Sequence, residues 1–104
     1  MQVYVIGYDF LASDRNNHKL DAPQMPSVFN EVIDLPLARP RRSKPFPEYC
    51  RYIEVVVRGD CWLDIGQDPE AKEGVHPLYA GERRYYGVFP GHCLSILGAR
   101  PDVG

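Results

Sequence analysis

The sequence predicts an all-β fold, either a small antiparallel β-sandwich or a jelly-roll-like barrel, with an extended proline-rich segment. Three observations favour this class. Apolar and polar residues alternate over short stretches, and turn-forming residues separate those stretches. In addition, 10 prolines and 9 glycines are spread through 104 residues, and proline interrupts helices because it lacks a backbone N–H donor. The length indicates a single domain over residues 1–104.

The first third of the chain predicts two strands and one loop. Residues 1–8 alternate around Val3 and Val5, which is typical of a strand. Residues 12–27 are polar and contain two prolines, so they predict a loop. Residues 28–35 fit a strand or a short helix, and we favour the strand because Pro36 follows at once.

The clearest pattern is "RYIEVVVRGDCWLDIG", residues 51–66. Period-two alternation on both sides of the turn at 58–60 predicts a β-hairpin with one buried face. The residues predicted to point inward are Ile53, Val55, Val57, Cys61, Leu63 and Ile65. Trp62 is then expected on the outward face together with Tyr52.

The last third predicts a loop, a short strand and a second hairpin. Residues 66–74 are charged and rich in turn residues, and a short strand with a turn at Ala80-Gly81 follows. Residues 83–89 and 92–98 predict the two strands of the hairpin. Between them, Pro90-Gly91 is typical of a type II turn. The tail 99–104 is expected to be loose.

Residues 36–48, "PLARPRRSKPFPE", contain four prolines and predict an extended, polyproline-like chain. Such a segment forms no core of its own, so it must lie along this domain or along a neighbour. Its basic residues are Arg39, Arg41, Arg42 and Lys44. They fit either a solvated linker or a basic arm that docks on an acidic partner surface.

Composition and charge argue against several classes of function. The formal net charge is −2, which does not favour nucleic acid as a partner. No apolar run approaches the ~20 residues of a membrane span. The N-terminus also lacks the features of a signal peptide, so we expect synthesis in the cytoplasm. Three cysteines with no C-x-x-C motif favour free thiols over disulfides or zinc.

No set of residues in the sequence predicts an enzyme, a metal site or a cofactor. His92 and Cys93 are neighbours in a predicted strand, so their side chains point to opposite faces and do not form a catalytic pair. His76 and His92 lie in separate segments and would form a metal or small-molecule site only if the fold brought them together. The tripeptide "RGD" at 58–60 is a weak signal of cell adhesion. A hairpin turn accounts for it, because such a turn favours glycine and leaves the flanking charges in water. Tyr85 and Tyr86 are expected on opposite faces of their strand, and with Trp62 they are candidates for partner contacts.

Residues 50–98 resemble a group of small tailed-phage virion proteins. The shared pattern consists of turns and core positions in a fixed order. Its matches here are Ile65-Gly66, Asp68-Pro69 with Ala71, Pro77-Leu78 with Ala80-Gly81, Tyr86-Gly87, and Val88 with Pro90-Gly91. The resemblance covers about half of the chain, and the more highly charged "RRYYG" at 83–87 departs from the pattern.

This resemblance implies a β-sandwich subunit on the capsid surface of a virus particle, as a decoration or cement protein, most often a trimer. The implied partners are the major capsid protein or other virion subunits and further copies of the chain. The basic segment would meet the shell, while Trp62, Tyr85 and Tyr86 would anchor contacts. Two alternatives remain open at this point. One is a tail, neck or fibre-attachment subunit, and the other is a cupin-like small-molecule or sugar-binding barrel that uses His76 and His92.

Overall fold

The structure, a computed structural model, describes residues 2–9, 11–13, 19–23, 26–35 and 39–99, with the backbone alone at 11–13 and 19–23. These residues form ten strands and no helix, so the predicted all-β class is confirmed. The strands are β1 (Gln2–Tyr8), β2 (Leu11–Ser13), β3 (Lys19–Pro23), β4 (Phe29–Asp34), β5 (Arg41–Arg42), β6 (Tyr52–Val57), β7 (Cys61–Gly66), β8 (Pro77–Leu78), β9 (Arg83–Gly87) and β10 (Cys93–Gly98).

Eight of the strands form two antiparallel sheets that pack on each other. Sheet one has the order β4-β1-β6-β9 and sheet two the order β5-β10-β7-β8, while β2 and β3 form a separate two-stranded sheet. One apolar cluster joins residues from both large sheets, including Val5 and Val55 from sheet one and Leu63 and Ile96 from sheet two. Burying an aliphatic side chain of this kind contributes about 1.5–3 kcal/mol. This layer is the core of a β-sandwich.

The strand pairing is that of a jelly roll. The run β4 to β7 is followed by a return run in which β8 pairs with β7, β9 with β6 and β10 with β5. The chain therefore forms one long antiparallel ribbon that is wrapped into two sheets. The partner of β4 at the far end of this ribbon is β1, which also pairs with β6 and so completes sheet one.

Strand β1 precedes the ribbon in the chain, yet it takes the place that would follow β10. Ala99, directly after β10, donates its N–H to the carbonyl of Asp60 at 2.8 Å. Val3, at the start of β1, is paired with Val57. The end of β10 and the start of β1 thus lie at the same end of the sandwich, beside the connection 58–60. The N-terminal strand therefore completes the jelly roll as the strand that would come last in the ribbon.

The predicted hairpin over 51–66 is wrong in its pairing, although its buried face is right. β6 belongs to sheet one and β7 to sheet two, so residues 58–60 cross between the sheets. Ile53, Val55, Val57, Cys61 and Leu63 are buried as expected, and Ile65 is half-buried. Alternation determines which side chains are inward in either arrangement, and it carries no information on which strand is the hydrogen-bonded neighbour.

The predicted hairpin over 83–98 is also an inter-sheet connection, since β9 lies in sheet one and β10 in sheet two. The turn itself is confirmed. His92 donates its N–H to the carbonyl of Phe89 at 3.2 Å, and Gly91 has a φ of 80°. Proline at the second turn position and a positive φ at the third define type II. The turn at Ala80-Gly81 is likewise present, with the Glu82 N–H donated to the Tyr79 carbonyl at 2.9 Å.

The loop predicted over 12–27 is partly wrong, because β2 and β3 pair antiparallel within it. Ladder hydrogen bonds join backbone groups, so a polar stretch can form strands without an apolar pattern to reveal them. Residues 14–18, which include His18, and residues 24–25 lie outside the described residues, as do residues 100–104 of the tail.

The proline-rich segment lies along its own domain over residues 39–48, while 36–38 are outside the described residues. After β5 the chain continues beside β10. Ser43 donates its N–H to the Leu94 carbonyl at 2.7 Å, Phe46 donates to His92 at 2.8 Å, and Gly91 donates to Phe46 at 2.9 Å. Phe46 is buried in the core. The segment is therefore the edge of sheet two.

The loop between β7 and β8 covers part of the outer face of sheet two. Pro69 and Ala71 are buried, and the Ala71 N–H is donated to the hydroxyl oxygen of Ser95, an outward residue of β10 that is 1% exposed. A second buried serine, Ser43, accepts the N–H of Leu94 and donates to the Lys44 carbonyl, both at 2.9 Å. Two serine hydroxyls thus attach the two irregular segments to β10.

Gly7 lies where β1 packs tightly against the core. A Cβ at this position would lie 2.6 Å from the Cys50 sulfur and 2.7 Å from the Phe29 Cβ, whereas a Cβ on Gly87 of β9 would meet nothing within 4 Å. We expect Gly7→Ala to lower the free energy of unfolding by about 1–3 kcal/mol, because the added methyl overpacks the core. We expect Gly87→Ala to change it by less than about 0.5 kcal/mol. Urea unfolding of both variants checks this, and equal effects would contradict it.

Ser95→Ala tests the attachment of the 66–74 loop. The substitution leaves the buried Ala71 N–H without an acceptor, and we expect a loss of about 1–3 kcal/mol with faster hydrogen exchange at Ala71. The control is Ser27→Ala, which removes an exposed hydrogen bond from the Asn30 amide and should change stability by about 0.5 kcal/mol or less. Unchanged exchange at Ala71 in Ser95→Ala would show that the hydroxyl does not hold the loop.

Candidate interaction surfaces

His92 belongs to the type II turn, whereas Cys93 is the first residue of β10. The His92 ring lies against Phe89 with centroids 5.4 Å apart. Cys93 is half-buried on the outward side of β10, together with Ser95 and Leu97, while Leu94 and Ile96 point inward. The alternation predicted for this strand is therefore confirmed.

His76 and His92 face different neighbours. The His76 ring packs edge-on against Tyr86 with centroids 6.5 Å apart, and its backbone has a φ of 45°. It lines a groove of about 240 Å³, and His92 is not among the lining residues. Those residues are Leu63, Asp64, Ile65, His76, Tyr86 and Gly87. Within the described residues, no three His, Cys, Asp or Glu side chains are grouped so that they could hold a metal ion.

The four basic residues of the proline-rich segment are all exposed along the edge of sheet two. Two of them lie beside acidic groups of this chain. Arg42 pairs with Asp68 at 2.7 Å, with both side chains largely in solvent, and the backbone N–H of Lys44 is donated to the Glu31 carboxylate at 2.9 Å. An exposed ion pair such as Arg42–Asp68 contributes only about 0–1 kcal/mol. The segment is thus a basic sheet edge, with Arg39 and Arg41 also on its surface.

The three aromatic residues chosen from the sequence occupy different surfaces. Trp62 is half-buried on the outer face of sheet two, paired with Leu97 of β10 and Pro77 of β8. Tyr52 lies on sheet one, so the expectation that it shares a face with Trp62 is wrong, because 58–60 cross between the sheets. Tyr86 points inward and packs against the core, whereas Tyr85 points outward and is 52% exposed. The expectation of opposite faces for the two tyrosines is confirmed.

The outer face of sheet one carries a row of apolar and aromatic side chains. Tyr4 of β1 lies between Val32 of β4 and Val56 of β6, and in the next row Ile6 lies beside Glu54. Tyr85 of β9 continues the second row from Glu54. We define the sheet-one face by these side chains, which are Tyr4, Ile6, Val32, Glu54, Val56 and Tyr85.

Glu54 is the polar centre of the sheet-one face. It is 7% exposed, and one carboxylate oxygen accepts the Tyr85 hydroxyl at 2.6 Å while the other lies 3.7 Å from Nε of Arg83. The hydrogen bond to Glu54 raises the pKa of Tyr85. The sequence does not single out Glu54, because nothing in it reveals that β6 and β9 are neighbours.

An open depression of about 670 Å³ lies on this face, lined in part by Tyr4, Ile6, Glu54 and Arg83. The Arg58 guanidinium stands over the Tyr4 ring at 5.3 Å from its centroid, a cation–π contact. In the row beyond Ile6 and Glu54, Tyr8 and Tyr52 stack with ring centroids 5.4 Å apart. The aromatic rings are thus held in place by neighbours, which suits a preformed contact surface.

No protein-family model matches this chain, and neither a curated protein nor a solved structure matches it. The resemblance of residues 50–98 to virion proteins therefore stays a prediction from the sequence. No helix in the described part of the chain is long and apolar enough to cross a membrane.

The three thiols, which are free, provide a test of burial. Burial raises the pKa of Cys61 from 9.0 to about 12, with the charges of Asp60 and Glu82 adding to the effect, and burial also raises the pKa of Cys50. We expect a thiol reagent at pH 8 to label one cysteine per native chain, the half-buried Cys93, and all three in denaturant. Mass mapping of the label checks this, and modification of Cys61 in the native chain would contradict it.

The same raised pKa predicts how stability depends on pH. Folding favours the neutral Cys61 thiol, so its contribution is complete below pH 9, the pKa of the unfolded chain, and is lost as pH rises toward 12. We therefore expect a steeper alkaline loss of stability in the native sequence than in Cys61→Ala. Parallel slopes between pH 9 and 11 in denaturant titrations would show that Cys61 does not contribute.

Proposed function

We propose that this protein is a structural subunit of a tailed-phage particle that decorates the outer surface of the head. The observation that supports the proposal best is the sheet-one face. It is apolar and aromatic, and its rings are held in place from within the chain. Large apolar patches outside the core are typical of interaction sites, and a small jelly roll is an architecture that viral capsid proteins use.

The order of turns in residues 50–98 provides the second line of support. The residues that carry the resemblance hold the sandwich together, since Pro69 and Ala71 cover sheet two and Leu78 and Val88 lie in the core. These positions support the architecture of a virion subunit. The proposed decoration role is supported instead by the exposed surfaces of the subunit.

Three parts of the surface are available for attachment to a shell. The sheet-one face would supply apolar contact, with Tyr85 at its border, and Trp62 would serve the same purpose on sheet two. The basic edge would meet acidic groups of the major capsid protein through Arg39, Arg41 and the ammonium group of Lys44, since Arg42 already pairs with Asp68. Tyr86, which packs inward, would act by supporting the sandwich. Many copies with modest individual affinity would together reinforce the shell.

Binding to emptied heads tests the proposal. We expect purified protein to co-sediment with heads from the same source in a saturable manner, at hundreds of copies per head and less tightly at high salt, because the basic edge contributes an ionic component. Saturation at about a dozen copies or fewer would instead indicate a tail, neck or vertex position. No binding would overturn the proposal.

A pair of matched variants separates the basic edge from general charge. Arg39→Gln with Arg41→Gln should weaken binding about two- to thirty-fold, if each residue contributes ~0.2–1 kcal/mol at a surface contact. Lys72→Gln with Arg51→Gln removes the same charge from exposed positions outside the basic edge and outside β9, and should leave binding unchanged. Equal effects of the two double variants would show that the basic edge has no specific role.

A further inference from the structure

Sheet one ends in two edge strands of ordinary length. Within the described residues, β4 (Phe29–Asp34) and β9 (Arg83–Gly87) each pair on one side only, whereas the edges of sheet two are the two-residue strands β5 and β8. A strand with one free side presents unpaired N–H and C=O groups that can pair with another chain. The edges of sheet one are therefore the places where a further strand could be added.

The two edges carry opposite charges. β4 contains Glu31 and Asp34, and β9 contains Arg83 and Arg84. Within the chain Arg84 pairs with Glu82 at 2.7 Å, while Arg83 lies 3.7 Å from Glu54 and is exposed. Pairing of β4 with β4, or of β9 with β9, would place like charges close together, which is unfavourable across neighbouring strands. Pairing of β9 with β4 would place opposite charges close together. The charges select a head-to-tail contact and disfavour both symmetric ones.

Strand direction allows this contact without turning one copy over. Neighbouring strands in sheet one are antiparallel throughout, so β4 and β6 run one way and β1 and β9 the other. When a second copy lies beside the first in the same orientation, its β4 is antiparallel to β9 of the first. The two sheets then join into one continuous antiparallel sheet.

One register matches both the apolar and the charged residues. Val32 of β4 and Tyr85 of β9 both point outward and are 53% and 52% exposed, although each is a large apolar side chain. When Tyr85 lies opposite Val32 of the second copy, Arg83 lies opposite its Asp34, because antiparallel positions advance in opposite directions. Outward side chains then stay outward in both copies, as period two requires.

We propose that copies of this chain associate head to tail, with β9 of one copy paired antiparallel to β4 of the next, Tyr85 opposite Val32 and Arg83 opposite Asp34. The partner is thus a second copy of the chain. Such a contact closes into a ring when the rotation between copies closes, and otherwise extends into a filament. This inference does not rest on attachment to a phage head.

The first test changes the apolar pair. Sedimentation velocity over a concentration series should show association of the full chain, and Val32→Lys should weaken it at least tenfold because a charge replaces the apolar neighbour of Tyr85. The control is Tyr79→Lys, whose tyrosine is 59% exposed in the turn after β8, and it should leave association unchanged. A chain that stays monomeric up to its solubility limit, or equal effects of the two variants, would overturn the proposal.

The second test traps the register itself. Residues opposite each other in antiparallel strands have Cα atoms about 4.5–5.5 Å apart, which is within the range of a disulfide. In a Cys93→Ser background, Val32→Cys with Tyr85→Cys should give a ladder of disulfide-linked chains on mild oxidation, and Val32→Cys with Tyr79→Cys should not. A ladder in both or in neither would overturn the register.

These tests use the purified chain alone and involve no heads. Association without binding to heads would support the edge pairing and reject the decoration role. Binding to heads by a chain that stays monomeric in solution and gives no disulfide ladder would support the decoration role and reject the edge pairing. Circular dichroism of each variant identifies loss of fold. Asp34→Asn removes only the charge opposite Arg83, at an exposed position, and should also weaken association.

Discussion

The packing of sheet one against sheet two across a single apolar layer is the constraint on which the rest of this structure depends. In a strand, every second side chain belongs to that layer, so the residues between them must face outward. Burial of Val3, Val5, Val55 and Val57 therefore places Tyr4, Ile6 and Val56 on the sheet-one face. The core and the main candidate surface are two consequences of the same alternation.

The route of the chain makes the two outer faces different. Short connections carry it from sheet to sheet, and the longer segments 43–48 and 66–74 return along sheet two, where the hydroxyls of Ser43 and Ser95 hold them. Sheet one receives β1 from the N-terminus between β4 and β6. Sheet two is thus partly covered by its own chain, while the sheet-one face and its two edges carry the proposed contacts.

The face and the edges of sheet one form one system. Pairing of β9 with β4 of the next copy would continue the sheet and would also extend the sheet-one face from copy to copy. Val32 and Tyr85 lie where the face meets the edges, so they would belong to both surfaces. A row of joined copies would then present a longer apolar strip than one copy can, which is how weak contacts add up in a multivalent assembly.

The sequence by itself determined the fold class, most strand positions, the inward residues of β6 and β7 and the type II turn at Pro90-Gly91, because these follow from local backbone preferences and period-two burial. Only the tertiary structure decided which strands pair, that 58–60 and 88–92 cross between sheets, and that Glu54 meets Tyr85. Those outcomes depend on contacts between residues far apart in the chain, and the same alternating pattern satisfies a hairpin and an inter-sheet connection equally well. The edges with opposite charge became visible only when β4 and β9 were found at the two ends of one sheet.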